Sequence, residues 1–246
     1  MTVGARRTAL VIVPTFNERD NLPVLTKALM AYAEVSMLVV DDQSPDGTGA
    51  LADELAREYP GRIDVMHRTA RRGLGRSYVD GIRSALDRPV DVICQMDSDL
   101  SHDPRHLRDL IAASQRADVV IGSRYVPGGA VVNWPLRRRL LSRFANVYIR
   151  LVTRLSPRDC TSGYRCWRRE ALARVPLAHA GSDGYSFLVE MLFAASAAGL
   201  TLAEVPITFV ERRQGESKLS KAVLFESAIT PWRLIASRTA ARPAMR

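Results

Sequence analysis

Residues 9–42 read ALVIVPTFNERDNLPVLTKALMAYAEVSMLVVDD. Two short apolar runs, Ala9–Val13 and Met37–Asp41, bracket a turn and an amphipathic stretch. Each run has the near-continuous hydrophobicity of a strand buried on both faces of a sheet. The pattern recurs at Ile63–His67, Asp91–Gln95 and Asp118–Ile121, with starts 28, 26, 28 and 27 residues apart. That interval holds one strand, one turn and one helix. The chain therefore reads as α/β, with a mostly parallel, Rossmann-like sheet and helices on both faces.

The punctuation agrees. Ser44-Pro-Asp-Gly-Thr48 leads into a predicted helix Leu51–Tyr59, which Pro60-Gly61 ends. Asp103-Pro104 opens a helix through Leu107, Leu110 and Ile111, with proline in the first turn. After residue 123 the repeat stops. Val126-Pro-Gly-Gly-Ala130 reads as a flexible loop. Leu136–Leu155 reads as a helix with an apolar face, arginines at 137, 138, 139, 143, 150 and 154, and no acid. A helix is expected over Ser182–Ala198, a strand over Leu202–Val210, a polar loop over Glu211–Ser217 and an amphipathic helix over Leu219–Ile235. One domain over residues 1–238 and a disordered tail over 239–246 complete the expected organisation.

The 246 residues suffice for one large core. Lys plus Arg is 35 against 26 acids, a formal charge of +9, which points to nucleic acid, an anionic membrane or phosphorylated substrates. Aromatic content is 7% and no base-stacking motif is present, so nucleic acid is not expected. Cys94, Cys160 and Cys166 are odd in number and widely spaced, which excludes a disulfide framework and implies buried thiols. The run Ala9–Val13 is too short for a signal peptide, and the 13-residue stretch Met191–Ala203 is too short to span a bilayer.

Acidic residues close three of the predicted strands. Asp97-Ser98-Asp99 follows the fourth run, Asp41-Asp42 ends the second, and Pro14-Thr-Phe-Asn-Glu18 follows the first. In such sheets ligands bind beyond the carboxyl ends of the strands. Two carboxylates one residue apart can share a hard cation that also holds a diphosphate. Asp42 suits a nucleobase ring N–H. The bland readings are capping and turn aspartates. No G-x-G-x-x-G or P-loop occurs.

Taken in order, P-T-F-N-E at Pro14–Glu18, V-V-D-D-Q-S-P-D-G-T at Val39–Thr48, R-R-G-L-G at Arg71–Gly75, M-D-S-D-L-S-H-D-P at Met96–Pro104 and G-S-R-Y at Gly122–Tyr125 resemble glycosyltransferase family 2. With G-G-A-V-V-N-W-P at Gly128–Pro135, C-T-S-G-Y-R at Cys160–Arg165 and R-R-Q-G-E-S-K-L at Arg212–Leu219, the chain is similar to its dolichyl- and polyprenyl-phosphate mannosyltransferases. The resemblance implies a GT-A fold, GDP-mannose as donor, a polyprenyl phosphate acceptor, Mg²⁺ or Mn²⁺, and inversion at the sugar carbon. It implies that Pro14, Phe16, Glu18, Val40 and Asp42 hold the guanosine. Asp97, Ser98 and Asp99 fall at the metal and diphosphate, with Ser101 beside them. Arg124, Arg138, Arg212 and Lys218 fall on phosphates, and Asp99 and Arg124 are the expected catalytic pair. Two departures stand out: Phe16 where many relatives have tyrosine, and Ser101 where some have a metal-binding glutamine.

An anionic acceptor needs positioning and charge stabilisation rather than a strong base. Its hydrocarbon stays in the bilayer, so the enzyme is expected at the cytoplasmic face as a peripheral protein, alone or with a membrane-protein partner. Leu136–Leu155 is the expected interfacial helix. Other readings remain: UDP-glucose or another donor, a nucleotidyltransferase, or a basic membrane-binding module. Zinc on His102, His106 and Asp99 is a minor alternative. Glu190, in an apolar stretch, faces the acceptor or pairs with an arginine. The 211–217 loop reads as a lid that closes over the donor.

Overall fold

The computed structural model describes residues 7–69, 73–177, 185–211 and 228–236. In chain order the elements are β1 (Ala9–Thr15), α1 (Leu22–Met30), β2 (Val35–Asp41), α2 (Thr48–Glu58), β3 (Ile63–His67), α3 (Leu74–Leu86), β4 (Val92–Gln95), α4 (Leu107–Ala113) and β5 (Val119–Ser123). There follow β6 (Ala130–Val132), α5 (Leu136–Thr153), β7 (Arg165–Arg168), α6 (Arg169–Leu172), α7 (Tyr185–Ala197), β8 (Leu202–Pro206) and β9 (Thr208–Val210). All five apolar runs are strands, each within a few residues of its expected bounds.

The main sheet has the order β3-β2-β1-β4-β7-β5-β8, and every pairing in it is parallel except those of β7. Alternate side chains feed two cores. Leu10, Ile12, Leu38 and Val40 pack with Tyr78 and Ile82 of α3 and Phe187 of α7. Val11, Val13, Met37 and Val39 pack with Leu22 and Leu25 of α1 and Leu107 and Leu110 of α4. Each such aliphatic side chain contributes about 1.5–3 kcal/mol, so both faces of the sheet are committed. The strand order reverses between β1 and β4, which makes the crevice at their carboxyl ends the expected ligand site.

The second half departs from expectation in three places. β7 was not legible: it is a four-residue antiparallel strand carrying two arginines. The single strand expected over Leu202–Val210 is two, because Pro206 has no N–H to donate and the chain leaves β8 for a small parallel sheet of β6 and β9. The expected flexible loop at Val126–Ala130 is pinned. Ala130 N–H donates to Ile207 O at 2.9 Å, and a Cβ on Gly129 would stand 2.6 Å from Ser123 O.

α5 ends at Thr153 rather than Leu155, with Arg154 in the left-handed cap position at φ 60°. Residues 228–236 are helical and run through Pro231, which does not end the helix. The rest of the expected C-terminal helix, the 212–217 part of the loop, the tail and residues 182–184 lie outside the described residues. The three cysteines are unbridged and buried. Among the described residues no helix is long and apolar enough to cross a membrane.

Candidate active site

The loops after β1 and β2 are sewn together. Asn17 N–H donates to Ser44 Oγ at 3.1 Å, Glu18 N–H to Thr48 Oγ1 at 3.0 Å and Arg19 N–H to Asp46 Oδ2 at 3.3 Å. The two neighbouring acids divide the work. Asp41 accepts from Thr15 Oγ1, Ser44 N–H and Ser44 Oγ, so it is consumed by the turn. Asp42 is buried against the Arg68 guanidinium, with Gly73 N–H 3.0 Å from its Oδ2. Arg68 in turn donates to Asp80 and Ser77. Each carboxylate oxygen has two lone pairs, so Asp42 keeps acceptor capacity. Pro14 and Val40 are register partners in β1 and β2, while Phe16 and Glu18 are half-buried above them.

Asn17, Gln43 and Leu100 follow β1, β2 and β4 and adopt φ of 61°, 59° and 60°. A non-glycine residue in this region is strained, and such strain concentrates where loops are held for function.

The β4 loop carries the acids. Asp99 is buried and accepts from both Ser101 Oγ, at 2.5 Å, and Ser101 N–H, at 3.1 Å. Asp97 is half-buried, and Tyr78 donates its hydroxyl to Asp97 Oδ1 at 3.1 Å. Burial first, and then the Asp97 and Asp99 charges, push the Tyr78 phenol well above its ordinary range, so it stays a donor. Gly163 faces Asp97: a Cβ there would lie 3.6 and 3.7 Å from its two oxygens. Buried Arg165 holds this turn by donating to the carbonyls of Cys160, Ser162 and Leu188, and burial lowers its pKa to about 10.

The donor set fits a hard divalent cation: two carboxylates and a hydroxyl, with no thiol and room over Gly163. Among the described residues no cluster of three or more His, Cys, Asp and Glu side chains forms. Mg²⁺ takes one or two carboxylates and completes its shell with phosphate and water. The donor set does not suit zinc. His102 Nδ1 accepts from Asp97 N–H, and His106 Nε2 accepts from Thr208 N–H, both at 3.1 Å.

Arg124 follows β5. Its Nε and Nη2 meet the Asp159 carboxylate, Nη2 also reaches Thr161 Oγ1, and the Trp134 and Phe209 rings stand 5.5 and 5.4 Å from its guanidinium. Of the three adjacent arginines only Arg138 turns inward, stacking 4.1 Å over Trp134 and pairing with Glu211. Arg137 and Arg139 are exposed. Arg212 and Lys218 lie outside the described residues. The sequence reading missed Asp159, Arg68 and Tyr78. Asp159 had a signal, as the lone acid between Arg154 and Arg165, immediately before the C-T-S-G-Y-R segment. Glu190 is half-buried on α7.

Three comparisons bear on this arrangement. The polyprenol monophosphomannose synthase of Mycolicibacterium smegmatis is 48% identical over 228 residues, covering 92% of this chain and 86% of that protein. The undecaprenyl-phosphate mannosyltransferase of Micrococcus luteus is 46% identical over 230 residues, covering 92% and 94%. Among solved structures, glucosyl-3-phosphoglycerate synthase from Mycobacterium tuberculosis, in complex with Mn²⁺, UDP and glucosyl-3-phosphoglycerate, superposes with a TM-score of 0.66. It covers 97% of this chain and 82% of its own at 18% identity, a likeness of fold and of nothing finer. A family model described as glycosyl transferase family 2 matches residues 10–175. With that match, and relatives near half identical along almost the whole chain, the protein belongs to glycosyltransferase family 2 and has its α/β GT-A architecture.

Proposed function

We propose that this enzyme transfers mannose from GDP-mannose to the phosphate of a polyprenyl phosphate at a membrane surface, with Mg²⁺ or Mn²⁺ held by Asp97, Asp99 and Ser101. One observation carries the reading. The β1, β2 and β4 loops bring Pro14–Glu18, Asp42 and the carboxylates of Asp97 and Asp99 to one edge of the sheet, in a chain near half identical to enzymes named for polyprenyl-phosphate mannose transfer. Family membership sets aside the nucleotidyltransferase and the simple binding module.

In this reading Asp42, fixed by Arg68 and Gly73, accepts a ring N–H of guanine, and Pro14, Phe16, Glu18 and Val40 complete the nucleoside wall. A bound divalent cation supplies charge neutralisation on the leaving diphosphate. Tyr78 and Ser101 orient the two acids that hold it. The acceptor phosphate is already anionic, so an acceptor oxygen forms a bond to the sugar carbon as the bond to the diphosphate breaks on the opposite side. Ser98 lies beside the diphosphate. Arg124, its guanidinium fixed by Asp159, and Arg138, held by Trp134 and Glu211, supply positive charge on the phosphate side.

α5 supplies the membrane contact in this account. Leu136, Leu140, Phe144 and Leu151 are 68, 57, 67 and 76% exposed along its outer face, flanked by arginines. The test of the donor is thermal unfolding with nucleotide. GDP with Mn²⁺ should raise the midpoint, EDTA should reverse the rise, and UDP should do less. Equal shifts from GDP and UDP would remove the guanosine assignment.

A further inference from the structure

We infer that a cleft on the flank of α5 binds the phosphate of an anionic membrane phospholipid and thereby orients the enzyme on the bilayer. The cleft holds ≈ 330 Å³ and is lined by Tyr125, Arg143, Asn146, Val147, Arg150 and Arg158. That volume is at the small end of the ligand-pocket range, about 300–1,000 Å³.

Among the described residues none of Arg143, Arg150 and Arg158 forms an ion pair. The carboxylates nearby in sequence and in space are taken: Asp159 by Arg124, and Glu204 by the main-chain N–H groups of Arg158 and Asp159. Arg150 Nε is buried and, among the described residues, has no hydrogen-bond partner. A buried guanidinium N–H without an acceptor costs free energy that a bound anion recovers. Converging guanidinium forks suit phosphate oxygens.

The surroundings say which phosphate. Val147 lines the cleft and also lies in the exposed apolar row of α5, at 51% exposure, one turn from Phe144 and Leu151. A free phosphate would use the arginines and leave the apolar row in water. A phospholipid uses both, with its headgroup in the cleft and its acyl chains along Val147 and Leu151. The cleft adjoins the phosphate side of the proposed transfer site, since Asn146 and Arg124 both donate to Thr161 Oγ1. The Tyr125 ring, whose hydroxyl bonds Ser142 at 2.7 Å, touches both: its centroid is 5.8 Å from the Arg143 guanidinium and 5.3 Å from that of Arg124, so the test must tell headgroup from acceptor. This deepens the proposed function, because it rests on a membrane-docked enzyme, yet it is tested without any donor sugar.

The experiment is co-sedimentation with phosphatidylcholine vesicles containing either phosphatidylglycerol or oleate at equal surface charge. The parent is compared with the Arg143→Gln, Arg158→Gln double variant, whose altered side chains are exposed and whose fold is checked by circular dichroism. The parent should prefer phosphatidylglycerol. The double variant should bind it about twenty-five-fold more weakly, at about fivefold per arginine, and lose the preference. Equal binding by parent and variant, or equal binding of the parent to both anionic vesicles, overturns the proposal. Two competitors complete the test, inorganic phosphate and farnesyl phosphate. Displacement by millimolar inorganic phosphate would mean a free-anion site, and displacement by farnesyl phosphate would mean the acceptor site; either overturns it. Since no arm contains a nucleotide sugar, a protein that fails to transfer mannose but passes this test loses only the transfer reading.

Discussion

Arg124 and Asp159 meet through two hydrogen bonds of 2.7 Å, from Nε to Oδ2 and from Nη2 to Oδ1, with Asp159 fully buried. The pair joins the end of β5 to the turn that precedes β7, 35 residues later, and so fixes that side of the crevice. Removing the acid takes both of these charge-assisted hydrogen bonds from a buried guanidinium. Asp159→Ala should cost about 3–5 kcal/mol of unfolding free energy, measured by urea denaturation. A loss under 1 kcal/mol would mean that water or another acid takes its place.

The same pair makes a pH prediction. Burial raises the Asp159 carboxyl, but Arg124 and its hydrogen bonds outweigh burial and hold it below its ordinary value. A depressed acid stabilises the fold above its unfolded pKa, about 3.9, and that contribution is lost as pH falls through the folded value. Stability of the parent should therefore decline as pH falls below about 4, and Asp159→Asn, already weaker at neutral pH, should show a shallower decline there. Parallel acid limbs would contradict this.

Asp99 is the residue on which turnover should depend most. Asp99→Asn keeps an oxygen for the Ser101 hydroxyl and amide but removes the charge a cation needs. Mannose transfer should fall by about two orders of magnitude or more, with the circular dichroism spectrum unchanged. Full activity at matched Mg²⁺ would exclude Asp99 from the metal site.

The outer face of α5 should carry membrane binding. Leu140→Ser with Phe144→Ser removes two exposed apolar side chains that touch no core cluster. Vesicle partition should fall about a hundredfold or more, at about 1.5 kcal/mol or more for each of the two buried side chains, while the midpoint of thermal unfolding stays put. Unchanged partition would place the docking surface elsewhere.

The cysteines should be inert. All three are buried, and burial pushes the Cys160 thiol up to about 12. The thiolate is the reactive form. Ellman's reagent at pH 8 should therefore titrate none of them in the native protein and all three in guanidinium. Rapid native reaction would show that the β4–β7 region opens.

The β-α alternation was readable because strands buried on both faces leave a near-continuous apolar signature, as in Met37–Val40 of β2 and Val119–Ile121 of β5. β7 left none. Arg165 and Arg168 give it a surface composition, yet Arg165 is fully buried because three main-chain carbonyls receive its guanidinium. The acids at strand ends were visible as motifs. Their division of labour was not: Asp41 serves its own turn and Asp42 faces Arg68, and only the fold brings residue 68 to residue 42. Arg138 stands out from its neighbours for the same reason, since Trp134 and Glu211 select it.

The most direct test of the whole account is transfer of labelled sugar to a short polyprenyl phosphate by the purified protein, with GDP-mannose, UDP-glucose and UDP-galactose run in parallel at fixed Mg²⁺. The account predicts a lipid-phosphate mannose product from GDP-mannose alone, abolished by EDTA and restored by Mg²⁺ or Mn²⁺. Product from UDP-glucose but not GDP-mannose, or transfer that persists in EDTA, would contradict it.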